Sequence, residues 1–297
     1  MGRARGVAAG TPVSCGARGL RHMRQLEPFP RGPAQLAHYL RLYTVYLRVG
    51  WLSLMAYPVD FVVRNLGNLF WNLASVGAIW VIFTFAECIG GFDRAQVLFI
   101  YAMSMLARSI WHLLWVNMMS IGFYVQQGTL DRLLVRPLDP LFQVVAGYVD
   151  NDDWGELALG LVVLVVAGRT VGLGNDPLLV AWTGLAVLSG SLVYAAIHLA
   201  AASTAFWMVQ NSAVTRLAWD MDSFSRYPLD IYPVAVRLTL TWVVPFGFAA
   251  YYPSQLALGT GTYRYLALLT PVVAAAAFAG AYRFWRHGLG RYQGTGT

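Results

Sequence analysis

The chain has 297 residues, of which 58% are hydrophobic and 12% charged, and its formal net charge is +7. Its mean hydropathy of +0.53 is too high for a soluble domain of this length, so we expect much of the surface to face lipid. All of the basic charge comes from arginine, because the sequence contains no lysine. A nucleotide-hydrolysing loop of the G-x-x-x-x-G-K-[ST] type is therefore excluded, and arginines beside apolar segments indicate membrane topology rather than nucleic-acid binding.

The N-terminal part of the chain divides into a polar tail and an amphipathic helix. Residues 1–33 are basic and rich in Gly, Ala and Pro, without the apolar core of a signal peptide. We expect a disordered cytoplasmic tail there, with Met23 as an alternative start. Residues 34–57 repeat apolar and aromatic side chains at helical spacing, which predicts an interfacial helix on the inner leaflet. The two cysteines, Cys15 and Cys88, support neither a disulfide framework nor a metal cluster.

The rest of the chain predicts an all-α integral membrane domain, residues 34–288, with six transmembrane helices. The predicted spans lie at about 61–85, 97–123, 154–171, 178–209, 211–226 and 265–284. The fifth carries Arg216, Asp220 and Asp222, so it is either a polar span or a partly inserted segment. Prolines break residues 227–262 into short apolar pieces, which predicts an external re-entrant helical hairpin before the last span.

The distribution of arginine predicts the orientation in the membrane. Six crossings put both termini on one side, together with the basic loop after the second span and the basic cluster at 283–291. The positive-inside rule assigns that side to the cytoplasm. We therefore expect a multi-pass protein of the inner (plasma) membrane, with residues 289–297 as a cytoplasmic tail.

Two stretches resemble one known family. The first is Gln-Gly-Thr-Leu-Asp-Arg-Leu-Leu-Val-Arg-Pro-Leu-Asp-Pro at 127–140; the second is Arg-Tyr-Pro-Leu-Asp-Ile-Tyr-Pro at 226–233, followed by Pro245-Phe246 and Tyr251-Tyr252-Pro253. They resemble the loop after the second span and the external hairpin of permease subunits in type 2 ATP-binding cassette (ABC) exporters. The resemblance extends over nearly the whole chain from Leu36 onward.

The resemblance implies a permease that moves a substrate out of the cytoplasm by ATP-driven alternating access. It implies a second permease subunit, identical or homologous, and two ABC ATPase subunits that bind ATP and Mg. It implies no catalytic residue and no cofactor in this chain, and membrane lipid as its surroundings. The sequence does not select a substrate.

The resemblance makes residues 127–140 a cytoplasmic coupling helix that docks into the ATPase. A helix that begins after Gly128 and ends before Pro137 would direct its leucines and arginines toward that partner, with Asp131 favourably placed in its first turn. The alternative is an ordinary loop helix held by lipid headgroups. The predicted ATPase-coupling residues are Gly128, Thr129, Leu130, Asp131, Arg132, Leu133, Leu134 and Arg136.

Polar side chains within the spans are candidates for a translocation path, because a charge there costs about 2.5–3.5 kcal/mol on insertion scales. The alternative is structural: an ion pair between Arg108 and an aspartate of the fifth span, with amide hydrogen bonds between helices. The candidate path residues are Asn65, Asn68, Asn72, Arg108, His112, Asp220 and Asp222.

An acidic run at 150–156 invites a metal interpretation, but it does not match the EF-hand pattern. We predict instead that it caps the N-terminus of the third span, with contact to the ATPase as a second possible role.

Two other functions are weighed against a permease. A membrane-embedded lipid-modifying enzyme would need a catalytic constellation, and neither H-x-x-x-H nor G-x-S-x-G occurs. A proton-coupled secondary carrier could use Asp220 or Asp222, but no inverted repeat is evident.

Overall fold

The computed structural model describes residues 33–55, 58–148, 150, 152–208, 210–259 and 264–294. The predicted tail up to residue 32, the last three residues and residues 260–262 of the predicted hairpin lie outside the described residues. The chain divides into two compact units, residues 1–40 and 41–297. The described part of the first unit is the beginning of a helix.

Regular structure in the described residues is helical, as predicted. Some of the helices are joined or extended by other helical turns: a 3₁₀ segment at Val116–Ser120, another at Thr204–Phe206, and a π-helical turn at Thr239–Val243. The helices are α1 (Pro33–Met55), α2 (Pro58–Ile82), α3 (Arg94–Trp115), α4 (Ile121–Gln126), α5 (Leu130–Leu134), α6 (Pro140–Ala146), α7 (Trp154–Thr170), α8 (Pro177–Ser203), α9 (Ser212–Met221), α10 (Val234–Leu238), α11 (Tyr251–Leu258) and α12 (Arg264–Leu289).

Three described helical segments are long and apolar enough to cross a membrane: Arg94–Gln126, Pro177–Phe206 and Arg264–Leu289. A fourth candidate is the pair Val234–Val243 and Phe246–Leu258, which is bent by 77° and is either one broken span or a re-entrant hairpin. The predicted count of six spans is not confirmed. The predicted fifth span forms α9, whose 10 residues rise only about 15 Å against a hydrocarbon core of about 30 Å. This length favours the partly inserted alternative.

The centre of the bundle is formed by α3 and α8. Most of the apolar stretch of each is buried, 78% for the segment with α3 and 72% for the segment with α8, against 22% for α12. A Cβ atom on Gly190 of α8 would clash with the carbonyl oxygen of Ala249 and lie 3.0 Å from the Cβ of Ala107. Glycine is therefore required for the close approach of α8 to α3 and to the hairpin.

Side-chain caps fix where both central helices begin. Asp93 and Gln96 form a capping box at α3: Asp93 Oδ1 accepts from the Gln96 amide at 2.9 Å, and Gln96 Oε1 accepts from the Asp93 amide at 3.0 Å. At α8, Asp176 accepts from the amide of Leu178 at 2.8 Å, with Pro177 in the first turn. Such caps satisfy amides that the helix itself leaves unpaired.

The hairpin packs at the end of the bundle where α3 and α8 begin. The rings of Phe92 and Tyr251 lie 6.2 Å apart, and Trp182 Nε1 donates to the carbonyl oxygen of Pro253 at 3.1 Å. At the other end the ring of Phe206 packs on Trp285 of α12 at 5.1 Å. The loops predicted to be external therefore lie at the hairpin end, and α4, α5 and the end of α12 lie opposite.

Candidate functional site

The segment 127–140, which we call the docking segment, contains α5 between Gly128 and Pro137. Leu130 is fully buried, and Leu133 and Leu134 are half-buried against the hydrophobic core. The prediction that these leucines face a partner is wrong for Leu130. The reason is physical: a helix of one turn can bury its apolar side against its own protein, and burial of leucine is favourable.

The exposed side of the docking segment is formed by Arg132, Val135 and Arg136. Val135 is 84% exposed, although it is apolar, and both arginines are exposed. Thr129 occupies the N-cap position of α5 without a capping hydrogen bond from its side chain. The exposed surface around α5 is thus one valine with an arginine on either side along the chain, flanked by the exposed Gln127 and Pro137, and it is shifted along the chain from the predicted leucines.

Asp131 of α5 is half-buried and lies against the segment after α12, where a Cβ atom on Gly294 would be 2.8 Å from Asp131 Oδ2. The pKa of Tyr292 is raised to about 12, mainly because the side chain is partly buried and also because the Asp131 carboxylate lies nearby. The predicted coupling residue Asp131 therefore contacts this chain's own C-terminal segment.

The base of the docking segment is fixed to α6 and α12. Gln143 of α6 donates through Nε2 to the carbonyl oxygens of Leu133 at 2.9 Å and Leu138 at 3.0 Å. Asp139 caps α6 by accepting from the amide of Phe142 at 3.0 Å, and it also accepts from the hydroxyl of Tyr282 on α12 at 3.1 Å. A displacement of the docking segment would therefore carry α6 with it.

The helix α6 is in turn bonded to the long segment formed by α3 and α4. Asn117 donates through Nδ2 to the carbonyl oxygen of Val144 in α6, and Ser120 Oγ donates to Asn117 Oδ1 at 3.0 Å. Asn117 is buried and lies in the 3₁₀ segment that interrupts this span. Interruptions of this kind often mark hinges, and through α6 the docking segment is bonded to the 3₁₀ interruption of the candidate span Arg94–Gln126.

A buried ion cluster lies where α3 meets the beginning of α7. Arg108 Nε donates to Glu156 Oε1 at 3.0 Å, a second guanidinium nitrogen contacts the same carboxylate, and Asp153 lies 3.5 Å away. The side chains of Arg108, Asp153 and Glu156 are 11%, 3% and 1% exposed. His112 Nδ1 lies 3.3 Å from Asp153 Oδ2. Charged side chains with so little exposure to solvent require partners of opposite charge and hydrogen bonds.

The asparagine stripe of α2 joins this cluster. Asn72 donates to Glu156 Oε2 at 3.0 Å, and Asn68 donates to Asp153 Oδ1 at 3.2 Å and to the carbonyl oxygen of Asp152 at 2.9 Å. Asn65 Oδ1 accepts from the amide of Gly155 at 3.0 Å. The structure therefore brings together five of the seven candidate path residues. Their polar groups pair with α7, which favours the structural alternative; a role in translocation stays a prediction.

Three details of the predicted charges need correction. The partners of Arg108 lie on α7 rather than on the predicted fifth span. Asp153 occupies the N-cap position of α7 but makes no capping bond, because its carboxylate is turned toward Arg108 and His112. Asp220 is exposed, and Asp222 is buried in a direct pair with His198, so neither bonds directly to Arg108.

A second buried polar group was not predicted from the sequence. Asp222 pairs with His198 Nε2 at 3.1 Å, and the imidazole stacks on Trp111 with ring centroids 4.0 Å apart.

Nearby, Ser225 bonds to Ser104 at 2.8 Å, and Tyr194 lies within 3.1 Å of Ser104. These contacts fix residues 222–226 to α3 and α8. The available signal was the polar segment after α9, which needs buried partners wherever it contacts the bundle.

Among the described residues, no group of three or more His, Cys, Asp or Glu side chains is arranged to hold a metal ion. The acidic run at 150–156 instead contributes Asp153 and Glu156 to the ion cluster and Asp152 to a pair with Arg64 at 3.2 Å. Its chemistry is therefore that of charge compensation around Arg108.

Comparison with known proteins gives one match. A family model described as "ABC-2 family transporter protein" matches residues 69–296, which is most of the chain. Neither the curated proteins nor the solved structures include a match. The matched range contains α3 to α12, and thus both the docking segment and the hairpin that carried the resemblance. The chain therefore belongs to the ABC-2 family of transporter proteins, as a multi-pass membrane permease.

Proposed function

We propose that the chain is the membrane-spanning subunit of an ABC exporter, driven by separate ATPase subunits that bind the docking segment. Family membership supports association with such ATPases. The observation that carries the proposal is the docking segment itself: its tip is exposed, and its base is bonded through α6 to the interrupted second span. A loop that only touched lipid headgroups would not need a rigid connection to the core.

The first step is docking. Val135 supplies an exposed apolar contact, and Arg132 and Arg136 supply positive charge on either side. This surface is complementary to an apolar cleft with an acidic rim. At such an interface the apolar centre contributes affinity, while the charges contribute orientation and association rate.

The second step is transmission. ATP-driven closure of two ATPases would displace both docking segments, and the bonds of Gln143 and Asn117 would carry the motion to the 3₁₀ interruption of the span. The result is a shift between inward-open and outward-open arrangements of two permeases. Export from the cytoplasm, the inner membrane and cytoplasmic termini belong to this proposal, as do ATP and Mg on the partner.

The proposed dimer needs an apolar face toward a second permease. Apolar side chains of α2 are exposed, including Val59 at 75%, Phe70 at 75% and Trp71 at 69%. Together with the mostly exposed α12, they provide apolar area for a second subunit and for lipid. The lysine-free chain requires that ATP be hydrolysed by its partner.

Co-purification with the cognate ABC ATPase tests the proposal. Val135→Asp, and separately the pair Arg132→Glu and Arg136→Glu, should weaken retention of the ATPase by about tenfold or more, equivalent to 1.4 kcal/mol. Arg169→Glu is the matched control, because Arg169 is also exposed but lies in the last turn of α7 at the hairpin end. Unchanged thermal unfolding of each variant confirms that only docking is affected. Full retention by both docking variants would refute the proposal.

A further inference from the structure

An apolar groove separates residues 41–55 of α1 from the bundle. Its volume is about 560 Å³, within the range of about 300–1,000 Å³ that is usual for ligand pockets. It is lined by Leu47, Arg48 and Trp51 of α1, by Leu113 and Leu114 of α3 and by Trp154 of α7, among others. Arg48 is the only residue of this lining with a charged side chain; the surface of the groove is almost entirely apolar, so the stem of Arg48 lines it and the guanidinium lies at its edge.

Contacts at both ends hold the groove open. The hydroxyl of Tyr43 donates to the carbonyl oxygen of Leu114 at 3.1 Å. Two turns later, the ring of Trp51 packs edge-to-face on Trp154 with centroids 5.9 Å apart. Tyr43, Leu47 and Trp51 follow at intervals of four residues, so one face of α1 spans the groove between these two contacts.

The surroundings of the groove are apolar. On α1, Val45, Val49 and Leu52 are 53%, 60% and 61% exposed. A helix that buries one apolar face and exposes another is in contact with hydrocarbon rather than water. Tryptophans at the groove end, such as Trp51 and Trp154, are typical of the boundary between hydrocarbon and headgroups.

Arg48 determines what the groove can hold. It is exposed, and it forms neither a hydrogen bond nor an ion pair with any residue that the structure describes. The lining contains no acidic side chain that could balance it. A guanidinium on a long apolar stem reaches the headgroup level and pairs well with phosphate. The groove therefore combines an acyl-chain site with an uncompensated positive charge.

From these features we propose that the groove binds one anionic phospholipid, with an acyl chain between α1 and α3 and the headgroup phosphate on Arg48. The net positive charge of the site selects a net-negative headgroup over a zwitterionic one. The bound lipid fills the groove that separates residues 41–55 of α1 from the bundle and stabilises their position. The proposal does not depend on the ATPase or on the direction of transport.

Native mass spectrometry of the full chain in detergent tests the proposed lipid site. It compares the binding of phosphatidylglycerol with that of phosphatidylcholine carrying identical acyl chains. The wild type should bind phosphatidylglycerol at least about fivefold more tightly. Arg48→Gln should remove this preference, because it weakens phosphatidylglycerol binding more than phosphatidylcholine binding; both lipids lose the contact with the phosphate, but only phosphatidylglycerol has a net negative headgroup. Leu114→Trp, which fills the groove but keeps the charge, should weaken binding of both lipids.

Arg283→Gln is the matched control, an exposed arginine of α12 that does not line the groove, and it should bind as the wild type does. Equal affinity of the wild type for both lipids would overturn the proposal. So would unchanged phosphatidylglycerol binding by Arg48→Gln. Loss of preference in Arg48→Gln with normal binding by Leu114→Trp would show a headgroup contact without an occupied groove, and would also overturn it.

Discussion

The buried ion cluster predicts that Glu156→Gln destabilises the permease strongly. Glu156 accepts from Arg108 and from Asn72, and the side chains of Glu156 and Arg108 are 1% and 11% exposed. In Glu156→Gln, Arg108 would keep only Asp153, at 3.5 Å, as a charged partner. Breaking a buried pair costs about 3–5 kcal/mol. Because Asp153 remains, we expect about 3 kcal/mol, the lower end of that range.

Thermal unfolding in detergent measures this loss. At about 2 °C per kcal/mol, the lower end for larger domains, the midpoint should fall by about 6 °C. Asp60→Asn is the matched control: Asp60 pairs with Arg64 at 2.9 Å, but the two side chains are 62% and 54% exposed. Exposed pairs contribute little to stability, so this variant should unfold almost as the wild type does. Equal shifts in the two variants would refute a structural role for the cluster.

Two further predictions concern packing and coupling. Gly190→Ala should lower the midpoint of thermal unfolding, because its Cβ would clash with the Ala249 carbonyl. The control is Gly184→Ala on the same helix, whose Cβ would have nothing within 4 Å. This variant should be neutral or stabilising, since alanine favours helix. A Gly190→Ala variant as stable as Gly184→Ala would contradict the proposed close packing. Asn117→Leu should retain the bound ATPase but lose the permease-dependent change in ATP hydrolysis rate, because the hydrogen bond from Asn117 to Val144 links α6 to the span that contains α3. If the permease still changed the hydrolysis rate as the wild type does, this connection would be excluded.

The sequence predicted those features that local chemistry determines. Long apolar runs gave the spans of α3, α8 and α12, and prolines indicated the bent hairpin. Asn65, Asn68 and Asn72 recur at intervals of three and four residues, so their common face on α2 follows from helical geometry alone.

Features that depend on packing between helices could not be predicted. Arg108 pairs with Glu156, which is 48 positions away, because α7 rather than α9 lies against α3. Leu130 is buried because α5 lies against its own core, and a helix of one turn carries too little periodicity to indicate which side is covered. The length of α9 could not be predicted either, because its charges are compatible with a polar span and with partial insertion.

Site-specific cross-linking tests the central claim most directly. Val135→Cys would be introduced after replacement of Cys15 and the exposed Cys88 by serine, and the purified complex with its ATPase treated with a short thiol-to-amine cross-linker. Leu178→Cys is the control, at 76% exposure on the hairpin side. A permease–ATPase product should form from Val135→Cys and not from Leu178→Cys. An intact complex that cross-links only through Leu178→Cys would contradict the proposed docking segment.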